Sequence, residues 1–219
     1  MTGAARGIGA AIADALRADG MDVVTLDVAE GCDITLDVAC DPFPDLGDVD
    51  VCVPNAAITT TIAPAHRMSS EQWQRDIDVN LTGAFRTVQA CLSGMRERGY
   101  GRIVAISSGA AESGLPGQVA YGASKAGVIG MVRTIAAENV ARGITANAVL
   151  PGFIETEQVR AMPPDVLERV TQALPAGRMA QPAEVAKLVA YLASRDAGYV
   201  TGQAIGIDGG LRLNTRSIT

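Results

Sequence analysis

Short apolar runs alternate with longer segments of helical periodicity along the chain. The apolar runs are rich in Val, Ile, Leu and Ala and predict strands at 23–26, 34–37, 49–53, 102–107, 144–150 and 204–207. The segments between them predict helices at 8–18, from 69 to about 94, at 121–138 and at 182–194. Because several strands have no polar face, we expect a parallel sheet covered by helices on both sides. The pattern therefore predicts a single α/β domain over residues 1–219, built on a doubly wound parallel sheet.

A glycine-rich stretch, TGAARGIG at 2–9, directly precedes the first predicted helix. Its glycines let the backbone approach a pyrophosphate closely, and the helix N-terminus offers free N–H groups. Asp27 ends the 23–26 strand, within the roughly 20-residue offset at which a carboxylate can accept hydrogen bonds from an adenosine ribose. Taken alone, the glycines also suit a plain tight turn, and Asp27 suits a turn or cap residue. Together they favour a dinucleotide site at the carboxyl ends of the strands.

Ser108, Tyr121 and Lys125 form a second group of candidate residues. Tyr121 and Lys125 are four positions apart and share one face of the predicted helix, and Ser108 follows the 102–107 strand. A tyrosine has a pKa of about 10, which a nearby lysine cation lowers by about 1–3 units. Such a tyrosine can exchange a proton with a carbonyl or alcohol oxygen. The alternative is a solvated Tyr–Lys pair on a helix surface.

The composition narrows the class of partner. The net charge is −6 and the pI is about 4.8, so we expect neither a nucleic acid nor a membrane as a partner. Four separate cysteines and a single histidine predict no metal site. No apolar run reaches transmembrane length, and the first residues do not match a secretory signal. The scattered cysteines favour a reducing, cytoplasmic setting.

Six short motifs resemble the short-chain dehydrogenase/reductase family, in the family's order and spacing. They are TGAARGIG (2–9), NAA (55–57), DVN (78–80), SSG (107–109), YGASK (121–125) and PGFIET (151–156). The resemblance covers nearly the whole chain and implies a Rossmann-type fold. From Gly114 onward the sequence is most similar to 3-oxoacyl-[acyl-carrier-protein] reductases, as in the stretch TGQAIGIDGG (201–210).

The resemblance implies an oxidoreductase that interconverts a ketone and a secondary alcohol by hydride transfer. Tyr121 would be the acid or base, and Lys125 would lower its pKa and bind the nicotinamide ribose. Ser108 would hold the substrate oxygen, and Asn80 would hold a water of a proton relay. A 3-oxoacyl thioester is one candidate substrate, and sugars, hydroxy acids and cyclic alcohols are others. The alternative function is a binding or scaffold protein with an impaired cofactor site.

The same resemblance assigns the dinucleotide contacts. The pyrophosphate would be lined by Gly3, Arg6, Gly7, Ile8 and Gly9, and the adenine would contact Asp37 and Val38. The adenosine side would contact Asn55, Ala56 and Ala57, and the ribose would contact Tyr121 and Lys125. The nicotinamide amide would contact Pro151, Gly152, Ile154 and Thr156. Asp27 favours NAD(H) over NADP(H), because its carboxylate would repel a 2′-phosphate. Arg6 is the counter-argument, since an arginine in this turn also occurs in NADP-dependent relatives.

The chain departs from the family pattern in its first quarter. Only Met1 and Thr2 precede the glycine turn, so we expect the family's first strand to be absent from the sheet and a longer native chain to carry it. The stretches 27–37 and 41–48 are too short for the family's helices, which predicts a trimmed flank. Segment 153–176 would form the substrate lid. The family also implies a homotetramer or homodimer.

Overall fold

The computed structural model describes residues 1–213, and its helices and strands follow the predicted alternation. In chain order they are α1 (Gly7–Ala18), β1 (Leu26–Asp27), β2 (Ile34–Thr35), β3 (Val51–Cys52), α2 (Ser70–Ile77), α3 (Gly83–Arg98), β4 (Gly101–Ile106), α4 (Ala110–Ser113), α5 (Val119–Asn139), β5 (Ile144–Pro151), α6 (Glu157–Arg160), α7 (Pro164–Ala173), α8 (Pro182–Ala193) and β6 (Ala204–Ile207). A five-residue π-helix, Asp78–Thr82, joins α2 to α3. No helix in this described range has the length and apolar character needed to cross a membrane.

The strands form two parallel sheets that meet at Thr2. β3, β4, β5 and β6 lie in that order in a four-stranded sheet, and β1 pairs with β2. The Thr2 N–H donates to the Val53 carbonyl oxygen at 3.2 Å, and the Leu26 N–H donates to the Met1 carbonyl oxygen at 2.9 Å. No other strand of residues 1–213 lies between β1 and β3. Among the described residues, Met1 and Thr2 are the part of the chain that bonds to both β1 and the end of β3.

Both faces of the four-stranded sheet are covered by helices. Ile103 and Ala105 of β4 pack in one core with α3 and α5, whereas Val104 and Ile106 pack in a second core with α1 and α8. Every residue of β4 and β5 is buried, which explains why these strands are mainly apolar on both faces; Arg102, Thr145 and Asn147 are the buried polar residues among them. The two cores confirm the doubly wound α/β architecture.

The helical run from α2 to α3 begins and ends at local sequence signals. The Ser69 hydroxyl accepts the Gln72 N–H at 3.1 Å, and the Gln72 side chain accepts the Ser69 N–H at 3.0 Å, and the two bonds together form a capping box. The run continues past its predicted end near Gly94 as far as Arg98. It stops at Gly99, whose φ of 67° is a left-handed conformation.

The flank around β1 and β2 is trimmed, as expected. Each of these strands has only two residues, fewer than predicted, because only short ladders form on this side of the sheet. Thr25 lies outside β1 and instead donates its N–H and its hydroxyl to the Asp33 carboxylate, at 2.9 and 2.7 Å. No helix forms between 36 and 50, where prolines and aspartates disfavour it.

Candidate active site

The glycine turn before α1 lies at the carboxyl ends of β1 and β3. Gly3 and Gly7 have φ values of +66° and +58°, which L side chains rarely adopt. A Cβ at Gly9 would lie 1.9 Å from the Gly3 carbonyl oxygen, so only glycine fits there. The turn brings the first N–H groups of α1 to this edge, in the arrangement that suits a phosphate group.

Asn55 fastens the glycine turn to the segment after β3. Its side-chain amide donates to the carbonyl oxygens of Thr2 and Gly3, at 3.2 and 2.7 Å. In return, the Thr2 hydroxyl accepts the N–H groups of Asn55 and Ala56, at 3.2 and 3.4 Å. The structure thus brings together three predicted cofactor residues, Gly3, Asn55 and Ala56. The part played by Thr2 was not predicted, because a threonine before a glycine carries no distinctive signal.

Asp27 lies on the other side of the turn, at the end of β1. Its two carboxylate oxygens accept the N–H groups of Ala5 and Ala29, each at 3.0 Å. These bonds fix a negative charge between the glycine turn and the strand. Arg6 is exposed at the N-cap of α1, in the same turn.

Asp37 and Val38 follow β2 at the same edge. The Asp37 carboxylate accepts the Ala39 N–H at 2.9 Å, so it caps its own turn. The Val38 side chain is buried against Gly83, and its carbonyl oxygen accepts from the Arg86 guanidinium at 2.6 Å. A contact of Val38 with an adenine would therefore use its backbone, and both adenine contacts stay predictions.

The remaining predicted cofactor residues surround this edge. Ile8 is half-buried in the first turn of α1, Ala57 is exposed after β3, and Pro151 ends β5. The Gly152 N–H donates to the Ile207 carbonyl oxygen at 3.0 Å. A Cβ at Gly152 would lie 2.9 Å from Asp208, so a larger residue would not fit.

Lys125 is a buried cation beside the end of β4. It is 3% exposed, and its amine donates to the Ile106 carbonyl oxygen at 2.9 Å. The Ser107 hydroxyl donates to the Lys125 carbonyl oxygen at 2.7 Å, which fastens this turn of α5 to the strand. Within residues 1–213 no carboxylate forms a salt bridge with the amine. Burial lowers the pKa of Lys125 from 10.5 to about 8.

Tyr121 lies one helical turn before Lys125. The Lys125 Nζ is 5.9 Å from the centre of the Tyr121 ring. Burial raises the pKa of the Tyr121 hydroxyl, and hydrogen bonding to the Ser108 side chain lowers it by a smaller amount. The raised pKa differs from the expectation that Lys125 lowers it, because burial of the Tyr121 hydroxyl is the largest effect. Ser108 itself follows β4, and its hydroxyl accepts the Ala110 N–H at 3.2 Å.

Asn80 is fully buried in the π-helix, an irregularity that the sequence did not predict. Its side-chain oxygen accepts the Ile58 N–H at 2.7 Å, and its amide donates to the Ile58 carbonyl at 3.0 Å and to the Ser124 hydroxyl at 3.3 Å. The Ser124 hydroxyl donates to the Tyr121 carbonyl oxygen at 2.8 Å. Because these contacts occupy the Asn80 side chain, a relay water at this residue would bind its backbone.

The predicted lid, 153–176, contains α6 and α7 and reaches the same edge. Thr156 caps α6, and its Cγ2 would lie 3.3 Å from a Cβ at Gly7. The Gln158 side-chain amide of α6 donates to the Thr59 hydroxyl at 3.0 Å. Ile154 is buried and pairs with Ala180. The lid therefore contacts both the glycine turn and the segment after β3.

A cavity of about 420 Å³ lies between α6, α7 and segment 177–181. Its lining includes Val159, Leu167 and Arg178, and it does not include Ser108 or Tyr121. The cavity is thus an open one between the lid and the chain that follows it.

The residues at this edge fit a nicotinamide dinucleotide. The glycine turn leaves no room for a Cβ at Gly9, and Lys125 presents a buried amine that has no carboxylate partner in the described range. No cluster of three or more His, Cys, Asp or Glu side chains suits a metal ion within residues 1–213. The sheet and this edge define a dinucleotide-binding protein of the Rossmann class.

Comparisons with known proteins agree with this class. The family profile described as Enoyl-(Acyl carrier protein) reductase matches residues 32–212. The chain is 45% identical to an acetoacetyl-CoA reductase of Rhizobium meliloti, over 96% of each chain. It is 38% identical to the 3-oxoacyl-[acyl-carrier-protein] reductase FabG of Escherichia coli, over 97% of this chain and 96% of that protein. The chain belongs to the short-chain dehydrogenase/reductase family of oxidoreductases.

A solved structure with bound NADP is similar over nearly the whole chain. It is that of an Agrobacterium tumefaciens protein assigned as a 2-deoxy-D-gluconate 3-dehydrogenase, with a TM-score of 0.89 and 32% sequence identity. The similarity covers 97% of this chain and 95% of that one. The Rossmann-type fold predicted from the motifs is therefore confirmed.

Proposed function

We propose that the protein is an NAD(H)-dependent reductase of ketones, with a 3-oxoacyl thioester as substrate and a secondary alcohol as product. The observation that carries the proposal is Lys125, a buried amine one helical turn from Tyr121 at the carboxyl end of β4. A buried ammonium without a carboxylate partner is costly, and groups of this kind cluster at functional sites. One of its three N–H donors binds Ile106, which leaves two for ribose hydroxyls.

The proton chemistry would fall to Tyr121. A tyrosine of ordinary pKa, about 10, carries its proton at neutral pH, so Tyr121, whose pKa burial raises, would donate that proton to the ketone oxygen. The Ser108 hydroxyl would hold the same oxygen. The Lys125 charge, 5.9 Å from the ring centre, would favour the tyrosinate that remains. The bound dinucleotide would supply the hydride.

Asn80 would support this chemistry by holding the helical turn that carries Tyr121. Its amide binds Ser124, whose hydroxyl binds the Tyr121 carbonyl oxygen. A water on the Asn80 backbone would link Lys125 to solvent and return a proton to the tyrosine. These roles rest on the family resemblance and on the hydrogen-bonded chain between the two residues.

NAD(H) is the proposed dinucleotide because of Asp27. Its carboxylate is held at the end of β1 by two backbone N–H groups, and a 2′-phosphate placed there would meet a like charge. NADP(H) is the competing choice, supported by the similar structure with bound NADP and by the exposed Arg6.

The substrate class rests on the relatives, two of which are named as reductases of acetoacetyl-CoA and of 3-oxoacyl thioesters. A sugar acid is the competing substrate, supported by the assignment of the similar solved structure. A homo-oligomer is also part of the proposal. α5 exposes the small side chains Ala123 and Ala126 together with Gly130, a surface on which a second helix can pack closely.

A second candidate function is a binding or scaffold protein whose cofactor site is impaired. The observation that favours it lies on the adenosine side of the site. Among the described residues, only Met1 and Thr2 connect β1 to β3 there. Thermal unfolding with NAD⁺ and with NADP⁺ separates the two functions. A ligand at 100 times its Kd stabilises the native state by about 2.7 kcal/mol, which for a chain of this size raises Tm by about 5–10 °C. The proposal expects this rise with NAD⁺ and a smaller one with NADP⁺, whereas no rise with either would contradict it.

A further inference from the structure

Asp76 is a buried carboxylate that the proposed chemistry does not use. It lies on α2, four residues before Asn80, and is 1% exposed. Its Oδ1 accepts the Thr61 hydroxyl at 2.7 Å. Its Oδ2 is buried and has no hydrogen-bond donor among the described residues. A buried carboxylate with one neutral donor costs stability, and such local conflicts are typical of functional positions.

Thr61 belongs to an extended segment, 58–63, that we call the wall strip. Both ends of the strip are hydrogen-bonded to the elements that carry the candidate catalytic residues. At one end Ile58 exchanges two hydrogen bonds with the Asn80 side chain, at 2.7 and 3.0 Å. At the other end the Ala63 N–H donates to the Gly117 carbonyl oxygen at 2.8 Å, just before α5.

The middle of the wall strip connects α5 to the lid. The Thr59 carbonyl oxygen accepts the Gln118 side-chain amide at 3.0 Å, and Gln118 is the N-cap of α5. The Thr59 hydroxyl accepts the Gln158 amide of α6 at 3.0 Å. Any shift of the strip would therefore move its contacts with Gln158 of the lid and with Gln118 together.

We propose that Asp76 is a positioning residue for substrate binding. Through its bond to Thr61 it anchors the wall strip, so that Thr59 meets the lid and Ile58 meets Asn80. The inference rests on the proposed function, because the lid and Tyr121 bound the substrate site only if that function holds. A carboxylate is not needed for stability on this buried face, because an apolar side chain there would be at least as stable. A purely structural role would therefore favour an apolar residue at this position.

Two matched pairs of variants test the anchor. Asp76→Val and Thr61→Val each remove the hydrogen bond, whereas Asp76→Asn and Thr61→Ser keep an acceptor or a hydroxyl in place. Thr61 lies on the partly exposed strip, so Thr61→Val keeps the test open if Asp76→Val does not fold. Amide hydrogen exchange of the ligand-free protein reports the strip directly, without any need for turnover.

The anchor predicts faster local exchange at Ile58 and Ala63 in both valine variants. We expect at least a tenfold increase, equivalent to about 1.4 kcal/mol, with β4 amides such as Val104 unchanged. The Asn and Ser variants should stay within about twofold of the wild type, a change of about 0.4 kcal/mol. Unchanged exchange at Ile58 and Ala63 in the valine variants would overturn the proposal.

Steady-state kinetics test whether the bond between Asp76 and Thr61 affects substrate binding. The valine variants should raise KM for the ketone at least about fivefold, or about 1 kcal/mol, with kcat and dinucleotide affinity nearly unchanged, and the Asn and Ser variants should restore KM. An equal loss of kcat in all four variants, or an unchanged KM, would overturn the positioning role. If the wild type shows no turnover but the amides of the valine variants still exchange faster, the anchor is supported and the proposed function is refuted instead.

Discussion

Replacing Lys125 by methionine should make the protein more stable and inactive. Burial lowers the pKa of Lys125 from 10.5 to about 8, and each pKa unit corresponds to about 1.4 kcal/mol, so the buried charge costs about 3 kcal/mol at neutral pH. Methionine removes the charge and also the hydrogen bond to Ile106, which contributes about 1 kcal/mol. We therefore expect Lys125→Met to raise the free energy of unfolding by about 2 kcal/mol at pH 7.

The pH dependence of the stability gained by Lys125→Met follows from the lowered pKa of Lys125. Below about pH 8 both the native and the unfolded lysine are protonated, so the cost of burial is fully present. Between about pH 8 and 10.5 the native lysine loses its proton before the unfolded one, so the cost is relieved and wild-type stability rises. The advantage of Lys125→Met should therefore be largest at pH 7 and shrink across that window.

Denaturant unfolding at several pH values measures this directly. The chain has only one other lysine, Lys187, which is exposed on α8, so Lys187→Met is the matched control and should change stability by less than about 0.5 kcal/mol. A Lys125→Met variant no more stable than the wild type at pH 7, or one whose extra stability did not depend on pH, would show that the buried lysine charge does not cost stability.

Three further predictions concern the candidate site. Tyr121→Phe should lower kcat about 10²–10⁴-fold with unchanged dinucleotide affinity by calorimetry, and near-normal turnover would remove Tyr121 as the acid. Gly9→Ala should lower dinucleotide affinity at least tenfold, about 1.4 kcal/mol, because its Cβ would lie 1.9 Å from the Gly3 carbonyl oxygen; wild-type affinity would show that the turn does not hold the pyrophosphate. Asp27→Ala should shift the NAD⁺ to NADP⁺ affinity ratio about tenfold toward NADP⁺, and an unchanged ratio would contradict the proposed repulsion.

The central architecture could be predicted from the sequence because burial leaves a clear pattern. β4 and β5 are buried on both faces and appear in the sequence as mainly apolar runs, in which Arg102, Thr145 and Asn147 are buried polar exceptions. The start of α2 was predicted because the capping box is a local signal carried by Ser69 and Gln72. The lengths of β1, β2 and β3 were overestimated, because strand length depends on ladder partners that the apolar runs do not encode.

The contents of the site were only partly predictable. Motif spacing suggested that Ser108, Tyr121 and Lys125 share the carboxyl edge, and the structure brings them together. The direction of the Tyr121 pKa shift could not be predicted, because it depends on burial and on where the lysine amine points. The π-helix at Asn80 and the contacts of the wall strip also lack a sequence signal, since each depends on side chains distant in the chain.

The most direct test of the account is the stoichiometry of reduction with acetoacetyl-CoA. We expect the wild type to consume one equivalent of NADH for each 3-hydroxyacyl thioester formed, and Tyr121→Phe, matched in concentration and dinucleotide affinity, to consume almost none. NADPH should support the same reaction at a lower kcat/KM. Absence of consumption with both NADH and NADPH across 3-oxoacyl thioesters, or equal rates in the wild type and Tyr121→Phe, would contradict the account.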